Sequence, residues 1–170
     1  MLPKSYLVFK WMVYGFAALL LFALQSLVLN HIRVFGLTPF LYPLIPATVA
    51  MYEGNRRGPV FALVLGVVCD TLLHGPFMGF FTLVFPLIAI FAAMVGENFL
   101  APGPLCSLVV SASALLLTGG MRILVHLLSG GGYVQLMARI TLGETLLSLP
   151  ALVVVMPLCR AIHRRCAADY

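Results

Sequence analysis

The chain has 170 residues, of which 62% are apolar and 9% are charged, and its formal net charge is +5. A soluble domain carries about 25% charged residues, so the composition excludes an ordinary soluble domain and predicts an integral membrane protein. The basic residues lie in short clusters at the ends of apolar blocks, a pattern that suits anionic lipid headgroups and predicts no nucleic-acid partner.

Six apolar blocks follow one another, and each is close to the length that a helix needs to cross the hydrocarbon. The predicted spans cover residues 11–29, 37–52, 59–73, 77–95, 104–128 and 140–158. The second block contains Pro39, Pro43 and Pro46, so its helix is expected to be kinked or to begin late. The predicted fold is an all-α integral membrane protein, a compact bundle of six transmembrane helices in a single domain, 1–170.

Basic residues are distributed unequally between the two sides of this predicted bundle. The side that holds both termini and the second and fourth loops carries Lys4, Lys10, Arg56, Arg57, Arg160, Arg164 and Arg165. The opposite side carries only Arg33, Arg122 and Arg139. Because cytoplasmic loops hold the excess of Lys and Arg, both termini are predicted to be cytoplasmic.

The residue types that usually carry chemistry form no recognisable motif. The four cysteines include no Cys-x-x-Cys pair, and the four histidines are scattered along the chain. Neither Gly-x-Ser-x-Gly, His-Glu-x-x-His nor Gly-x-x-x-x-Gly-Lys occurs. The sequence therefore predicts no metal, no cofactor and no enzymatic activity.

The stretch from Gly66 to Gly79 places a carboxylate, Asp70, inside an apolar segment and follows it with a Gly-Pro turn. An ionised Asp in lipid costs about 2.5–3.5 kcal/mol on insertion scales, so its side chain is expected to face the protein interior. Gly75 is expected to end the span and Pro76 to begin the next helix, while Gly75 and Gly79 form a Gly-x-x-x-Gly spacing. Two interpretations stay open: Asp70 satisfies backbone donors at a helix end, or it forms an ion pair with another helix.

The last two predicted spans carry charged residues at matching depths. Arg122 and His126 are four residues apart late in the fifth span, and Glu144 lies early in the sixth. Charges in these positions are too costly to leave without partners. We therefore predict a charged cluster of Arg122, His126 and Glu144 or Asp70 in the outer third of the membrane.

With these residues described, a family resemblance is visible. The run from Leu37-Thr-Pro39 through Gly66-x-x-x-Asp70 to Gly75-Pro76-x-x-Gly79 resembles the MreD family of rod shape-determining proteins. Members have a proline near the start of the second helix and a Gly-x-x-x-Asp before a glycine-containing turn. A proline-containing last helix that ends in basic residues also fits, and the similarity extends over residues 34–165.

The resemblance implies a multi-pass scaffold subunit of the cell-wall elongation (rod) complex in the bacterial inner (cytoplasmic) membrane, which helps maintain rod shape. Family members associate with MreC, and this assembly links MreB filaments to RodA and its penicillin-binding protein partner in peptidoglycan synthesis. The expected partners are therefore MreC, this wider complex and membrane lipids. The implied mechanism is that the helical bundle presents a lipid-facing groove to the single transmembrane helix of MreC.

A second class of protein also fits the six-span outline: the substrate-binding membrane subunit of an energy-coupling-factor type vitamin transporter. Its outward-facing pocket would be lined by Asn30, His31, Arg33, Arg122, His126, Gln135, Arg139 and Glu144. Against it, the first span lacks the small-x-x-x-small pairing with which such subunits meet their coupling protein. A third class, an intramembrane enzyme that acts on lipids, is the least favoured, because the intramembrane carboxylates have no identifiable nucleophile or metal ligand beside them in the sequence.

Overall fold

The computed structural model describes residues 4–29, 39–73, 75–98, 103–130 and 133–167. Within these ranges the chain is helical and contains no strand, which confirms the predicted all-α class. The helices are α1 (Lys4–Leu24, continued by a π-helical segment, Gln25–Leu29), α2 (Leu44–Leu72), α3 (Phe80–Asn98), α4 (Pro104–Leu128), α5 (Val134–Ser148, followed by a 3-10 segment, Leu149–Ala151) and α6 (Leu152–Ala167).

Helix α2 consists of two helical arms that fold back on each other at Gly54. Gly54 has φ 75° and ψ −179°, a conformation that is essentially restricted to glycine. A Cβ built on Gly58 would lie 2.6 Å from the Ala50 Cα atom, whereas residues eight apart in a straight helix are separated by about 12 Å. The arms, 44–53 and 55–72, are therefore separate helices, and the turn falls between the second and third predicted spans.

Several of these helices have the length and composition of membrane spans. Three segments meet both criteria individually: Phe9–Leu27, Phe80–Asn98 and Pro104–Leu128. A fourth span arises if Val134–Ala151 and Val155–His163, which are bent by 50° relative to each other, cross the membrane as one unit. The first arm of α2 is only about 15 Å long, and the second arm carries three charged residues, so the six-span bundle with cytoplasmic termini stays a prediction.

Some of the predicted helix boundaries agree with the structure. The fifth predicted span coincides with α4, and the proline-rich second span begins late, at Leu44, with Pro43 as its N-cap residue. The position at which that span was predicted to begin, residue 37, lies outside the described residues.

Several boundary predictions are wrong. Helices α1 and α5 begin at Lys4 and Val134, six or seven residues before the predicted starts at 11 and 140. Helix α3 begins at Phe80, not at residue 77, because the preceding residues form a turn in which Gly79 has φ 87°. Pro76 consequently lies in that turn, outside the first helical turn. The continuous sixth span is interrupted instead: Pro150 lies in the 3-10 segment between α5 and α6, where its missing N–H prevents a regular helix.

The apolar core lies around the hairpin of α2 and α3, which pack against each other more extensively than any other helix pair described. Its largest fully buried side chains include Tyr14 of α1, Phe80, Phe85 and Ile88 of α3, and Val110 of α4. The outward faces are apolar as well, and large side chains are exposed along each of the helices α1–α5. A surface of this kind suits contact with lipid.

Candidate functional site

Polar side chains in this apolar chain meet the backbone where its helices are interrupted. A non-helical backbone at membrane depth must find hydrogen-bond partners within the protein, because lipid supplies none. Three interruptions among the described residues have side-chain partners from another helix: residues 39–43 before α2, the turn at Gly54, and the junction of α2 with α3 around 75–79. In each case the side chain binds backbone N–H groups within the interruption or at the start of the helix that follows it.

Asp70 closes the turn between α2 and α3. Its Oδ1 accepts a hydrogen bond from the Phe81 N–H at 3.0 Å, and its Oδ2 accepts one from the Thr82 N–H at 2.8 Å and another from the Thr82 hydroxyl. The N–H groups of a first helical turn have no partner within their own helix, and a carboxylate there also interacts favourably with the helix dipole. The geometry thus agrees with the helix-end interpretation of Asp70, and no ion pair to Asp70 occurs among the described residues.

Gly66 lies one turn before Asp70 on the same face of α2 and makes this contact possible. A Cβ there would lie 2.7 Å from the Phe81 carbonyl oxygen and 2.8 Å from the Thr82 Cα atom. The Gly-x-x-x-Asp spacing therefore has a physical meaning, since the glycine admits the first turn of α3 and the aspartate binds its amides. Gly75 is also confined, because a Cβ built there would lie 3.1 Å from the Phe80 Cβ atom, whereas Gly79 is required for its positive φ.

Replacing Gly66 with alanine is expected to lower the free energy of unfolding by about 1–3 kcal/mol, because the added methyl group collides with backbone atoms that cannot rotate away. Gly120 of α4 is the matched control, since a Cβ there meets nothing within 4 Å. Gly120→Ala should be neutral or stabilise the protein by up to about 1 kcal/mol. Thermal unfolding of both variants in detergent measures the difference, and equal melting temperatures would contradict the close approach.

Glu97, near the end of α3, performs the same function at the opposite end of the helix pair. Its Oε1 accepts a hydrogen bond from the Asn55 N–H at 2.9 Å, at the start of the second arm of α2. A Cβ on Gly54 would lie 2.7 Å from that same oxygen, so the glycine leaves room for the carboxylate. The hydrogen bonds are therefore reciprocal. Asp70 of the second arm of α2 binds the N-terminus of α3, and Glu97 of α3 binds the N-terminus of that arm.

Gln25 and Ser148 hold the non-helical residues before α2. The Gln25 amide is 1% exposed; it donates to the Pro39 carbonyl at 2.6 Å and accepts from the Leu41 N–H at 3.1 Å. The Phe40 N–H donates to the Ser148 hydroxyl at 2.7 Å. Side chains of α1 and α5 thus form hydrogen bonds with backbone groups of residues 39–41, which lie outside any helix.

Glu53 is the centre of a buried polar cluster beside the Gly54 turn, and its side chain is only 3% exposed. The Lys10 ammonium lies 2.7 Å from Oε2, and the Tyr14 hydroxyl donates to Oε1 at 3.0 Å. His163 Nδ1 lies 3.2 Å from the same Oε1, and its ring stacks on that of Tyr52 with centroids 5.3 Å apart. One carboxylate therefore connects α1, α2 and α6.

The predicted outer cluster is brought together in part. Arg122 Nη1 lies 3.6 Å from Glu144 Oε2, and the guanidinium lies 4.3 Å above the ring centroid of Phe40. Helices α4 and α5 and the non-helical segment before α2 therefore meet around one cation. His126 follows one turn later on α4, and its buried Nε2 has no hydrogen-bond partner among the described residues. Asp70 is engaged by α3 and pairs with neither Arg122 nor His126 in the part of the chain described.

Exchanging the charges of Arg122 and Glu144 tests this pair. Each single reversal, Arg122→Glu or Glu144→Arg, should lower the melting temperature in detergent because two like charges then meet in a poorly solvated cleft. The double exchange should recover about half of the loss or more, with the pair's partial exposure limiting its gain. Arg139→Glu on the exposed side of α5 is the control, and an exchange that rescues neither single variant would remove support for the pair.

The sequence interpretation missed the residues that contact the interruptions in α2. Gln25 could have been identified from the sequence, because a polar amide inside a long apolar block needs a hydrogen-bond partner. Glu53 and Glu97 stand at the ends of apolar blocks, where a charge needs no explanation, and the partners of Glu53, Lys10 and His163, are distant in the chain. Cys69, Cys106 and Cys159 are buried and free.

The described residues contain no group of three or more metal-ligating side chains. Taken together, the helices and contacts define a helical membrane protein in which polar side chains hold helix ends and interruptions. Neither a protein-family model, a curated protein nor a solved structure matches the chain significantly.

Proposed function

We propose that the chain is a membrane scaffold subunit of the bacterial cell-wall elongation complex, of the MreD kind, and that it binds MreC. The observation that carries the proposal is the role of the motif behind the family resemblance. Gly66, Asp70 and Gly79 join α2 to α3, and every described hydrogen bond of Asp70 goes to α3. A motif that fixes the packing of two helices suits a protein that acts by presenting a rigid surface to partners in the membrane.

The exposed apolar faces support this mechanism. On α3, Leu83, Leu87 and Phe91 are between 43% and 59% exposed and lie on one side of a helix whose other side is fully buried. Such a face can pack against lipid or against a single partner helix, where van der Waals contact is the main attraction. The reciprocal hydrogen bonds of Asp70 and Glu97 between α2 and α3 fix the position of this face. A partner helix would therefore meet a preformed surface.

The vitamin-transporter alternative receives less support. Of its proposed pocket residues, Arg122 and Glu144 line a common cleft with Phe40, and Gln135 and Arg139 line a separate open depression. The described part of the cleft has room for about one water molecule, which is too little for a vitamin. Asn30, His31 and Arg33 lie outside the described residues.

Purification of the full-length chain from its native membranes tests the proposal. An affinity-tagged chain should recover MreC in mild detergent, whereas an unrelated multi-pass protein with the same tag should not. Depletion of the chain should turn rod-shaped cells round, and expression of the wild-type protein should restore them. Recovery of a coupling protein with an ATPase pair in place of MreC, or unchanged cell shape on depletion, would overturn the scaffold assignment.

A further inference from the structure

A groove runs between α1 and the second arm of α2, next to the Gly54 turn. Its volume is about 450 Å³. The walls are apolar along most of its length, with Trp11 and Phe61 packed against each other at 5.7 Å between ring centroids. At one end the walls become basic, because Arg56 and Arg57 both line the groove. The groove is therefore amphipathic along its length.

Gly15 keeps this groove open. A Cβ built on Gly15 would meet nothing within 4 Å, so neither neighbouring helix fills the space above it. The opposite wall continues along α2 with Val60 and Val64, which are 64% and 57% exposed. A chain of methylene groups can lie in this space and cover apolar surface on both helices.

The basic end of the groove carries two positive charges on adjacent residues. Both arginines are exposed, and neither forms an ion pair within the described ranges. Glu53 is paired with Lys10, whereas Glu97 binds the Asn55 N–H and lines a second depression with both arginines without forming an ion pair to either among the described residues. Two guanidinium groups on adjacent residues at the end of an apolar groove suit a phosphate that is attached to a long apolar chain.

We propose that this groove binds one anionic phospholipid, with its phosphate against Arg56 and Arg57 and an acyl chain along Gly15, Phe61 and Val64. The predicted orientation agrees with this, since it places the two arginines at the cytoplasmic leaflet, where anionic lipids attract basic residues. The lipid would extend the contact between α1 and α2 beyond the packing of Trp11 on Phe61. The proposal does not depend on the scaffold function.

Native mass spectrometry of the full-length chain tests the site, with phosphatidylglycerol and phosphatidylcholine offered in equal amounts. The wild-type protein should retain phosphatidylglycerol preferentially. Arg56→Gln and Arg57→Gln should each weaken its retention about fivefold, and the double variant by about tenfold or more, because each basic residue near an anionic surface contributes to binding. Gly15→Leu should weaken it to a similar extent with the charge unchanged.

Arg160→Gln is the matched control, since it removes one exposed positive charge from α6, outside the groove. It should leave retention of phosphatidylglycerol within about twofold of the wild type. Gel filtration and thermal unfolding establish that each variant is folded, and the single substitutions serve if the double variant is not. Equal losses in Arg160→Gln and Arg57→Gln, unchanged retention in Gly15→Leu, or equal retention of both lipids would each overturn the proposal.

Discussion

Replacing Glu53 with alanine is expected to lower the free energy of unfolding by about 3–5 kcal/mol, the typical cost of removing one partner from a buried ion pair. Lys10 would lose a partner 2.7 Å away while its own side chain is 13% exposed, and it would remain charged in a poorly solvated site. Tyr14 and His163 would lose their contacts with the carboxylate in the same step. Chemical or thermal unfolding of the purified protein in detergent measures the loss.

Glu97→Ala is the matched control for Glu53, because both carboxylates lie beside the Gly54 turn but Glu97 is exposed. It has one described hydrogen bond, to the Asn55 N–H, and its removal should cost about 1 kcal/mol, the typical value for a helix cap. The double variant Glu53→Leu with Lys10→Met should recover much of the loss, since it removes the unpaired charge as well. Equal losses for Glu53→Ala and Glu97→Ala would show that the cluster does not hold the three helices together.

Replacing Asp70 with alanine should lower the free energy of unfolding by about 2–4 kcal/mol, because the N–H groups of Phe81 and Thr82 and the Thr82 hydroxyl lose a charged acceptor together. Asp70→Asn should lower it by less, since the amide keeps one carbonyl oxygen that can accept a hydrogen bond. A loss remains because its NH₂ group cannot accept the others. The variants should still insert into the membrane, because the helices keep their apolar surfaces. Melting temperature and yield of folded protein measure the effect.

Thr71→Ala and Thr82→Val are the controls for Asp70. Thr71 is the neighbouring residue, is exposed, and bonds only its own backbone at Val68, so its replacement should cost less than about 0.5 kcal/mol. Thr82→Val removes one of the three hydrogen bonds and should give an intermediate loss of about 1 kcal/mol. If Asp70→Ala and Thr71→Ala had the same melting temperature, the carboxylate would not stabilise the start of α3.

Local sequence patterns were sufficient for the helical class and for most helix positions. An apolar block of spanning length predicts a helix whatever its neighbours are, and α4 matches its predicted bounds for that reason. The matching depths of Arg122 and Glu144 placed them close enough to meet, as they do at 3.6 Å. The late start of α2 also followed from local chemistry, because Pro43 and Pro46 suit the beginning of a helix.

The remaining contacts depend on how the helices pack, which a single sequence does not reveal. Asp70 had two open interpretations because its partner, the first turn of α3, becomes available only when Gly66 admits that turn. Glu53 contacts Lys10 and His163, which are 43 and 110 residues away in the chain. Helical periodicity relates only residues within a few turns, so it cannot predict these contacts. The break near Pro150 was missed because a block of apolar residues continues through it.

Hydrogen exchange at the start of α3 measures whether a polar side chain of one helix protects the unpaired backbone N–H groups of another. In the wild-type protein, the amides of Phe81 and Thr82 should exchange slowly, because both donate to Asp70. In Asp70→Ala they should exchange much faster, while the amides of α4 keep their protection. Equal exchange at Phe81 and Thr82 in the two proteins would show that Asp70 does not protect the start of α3.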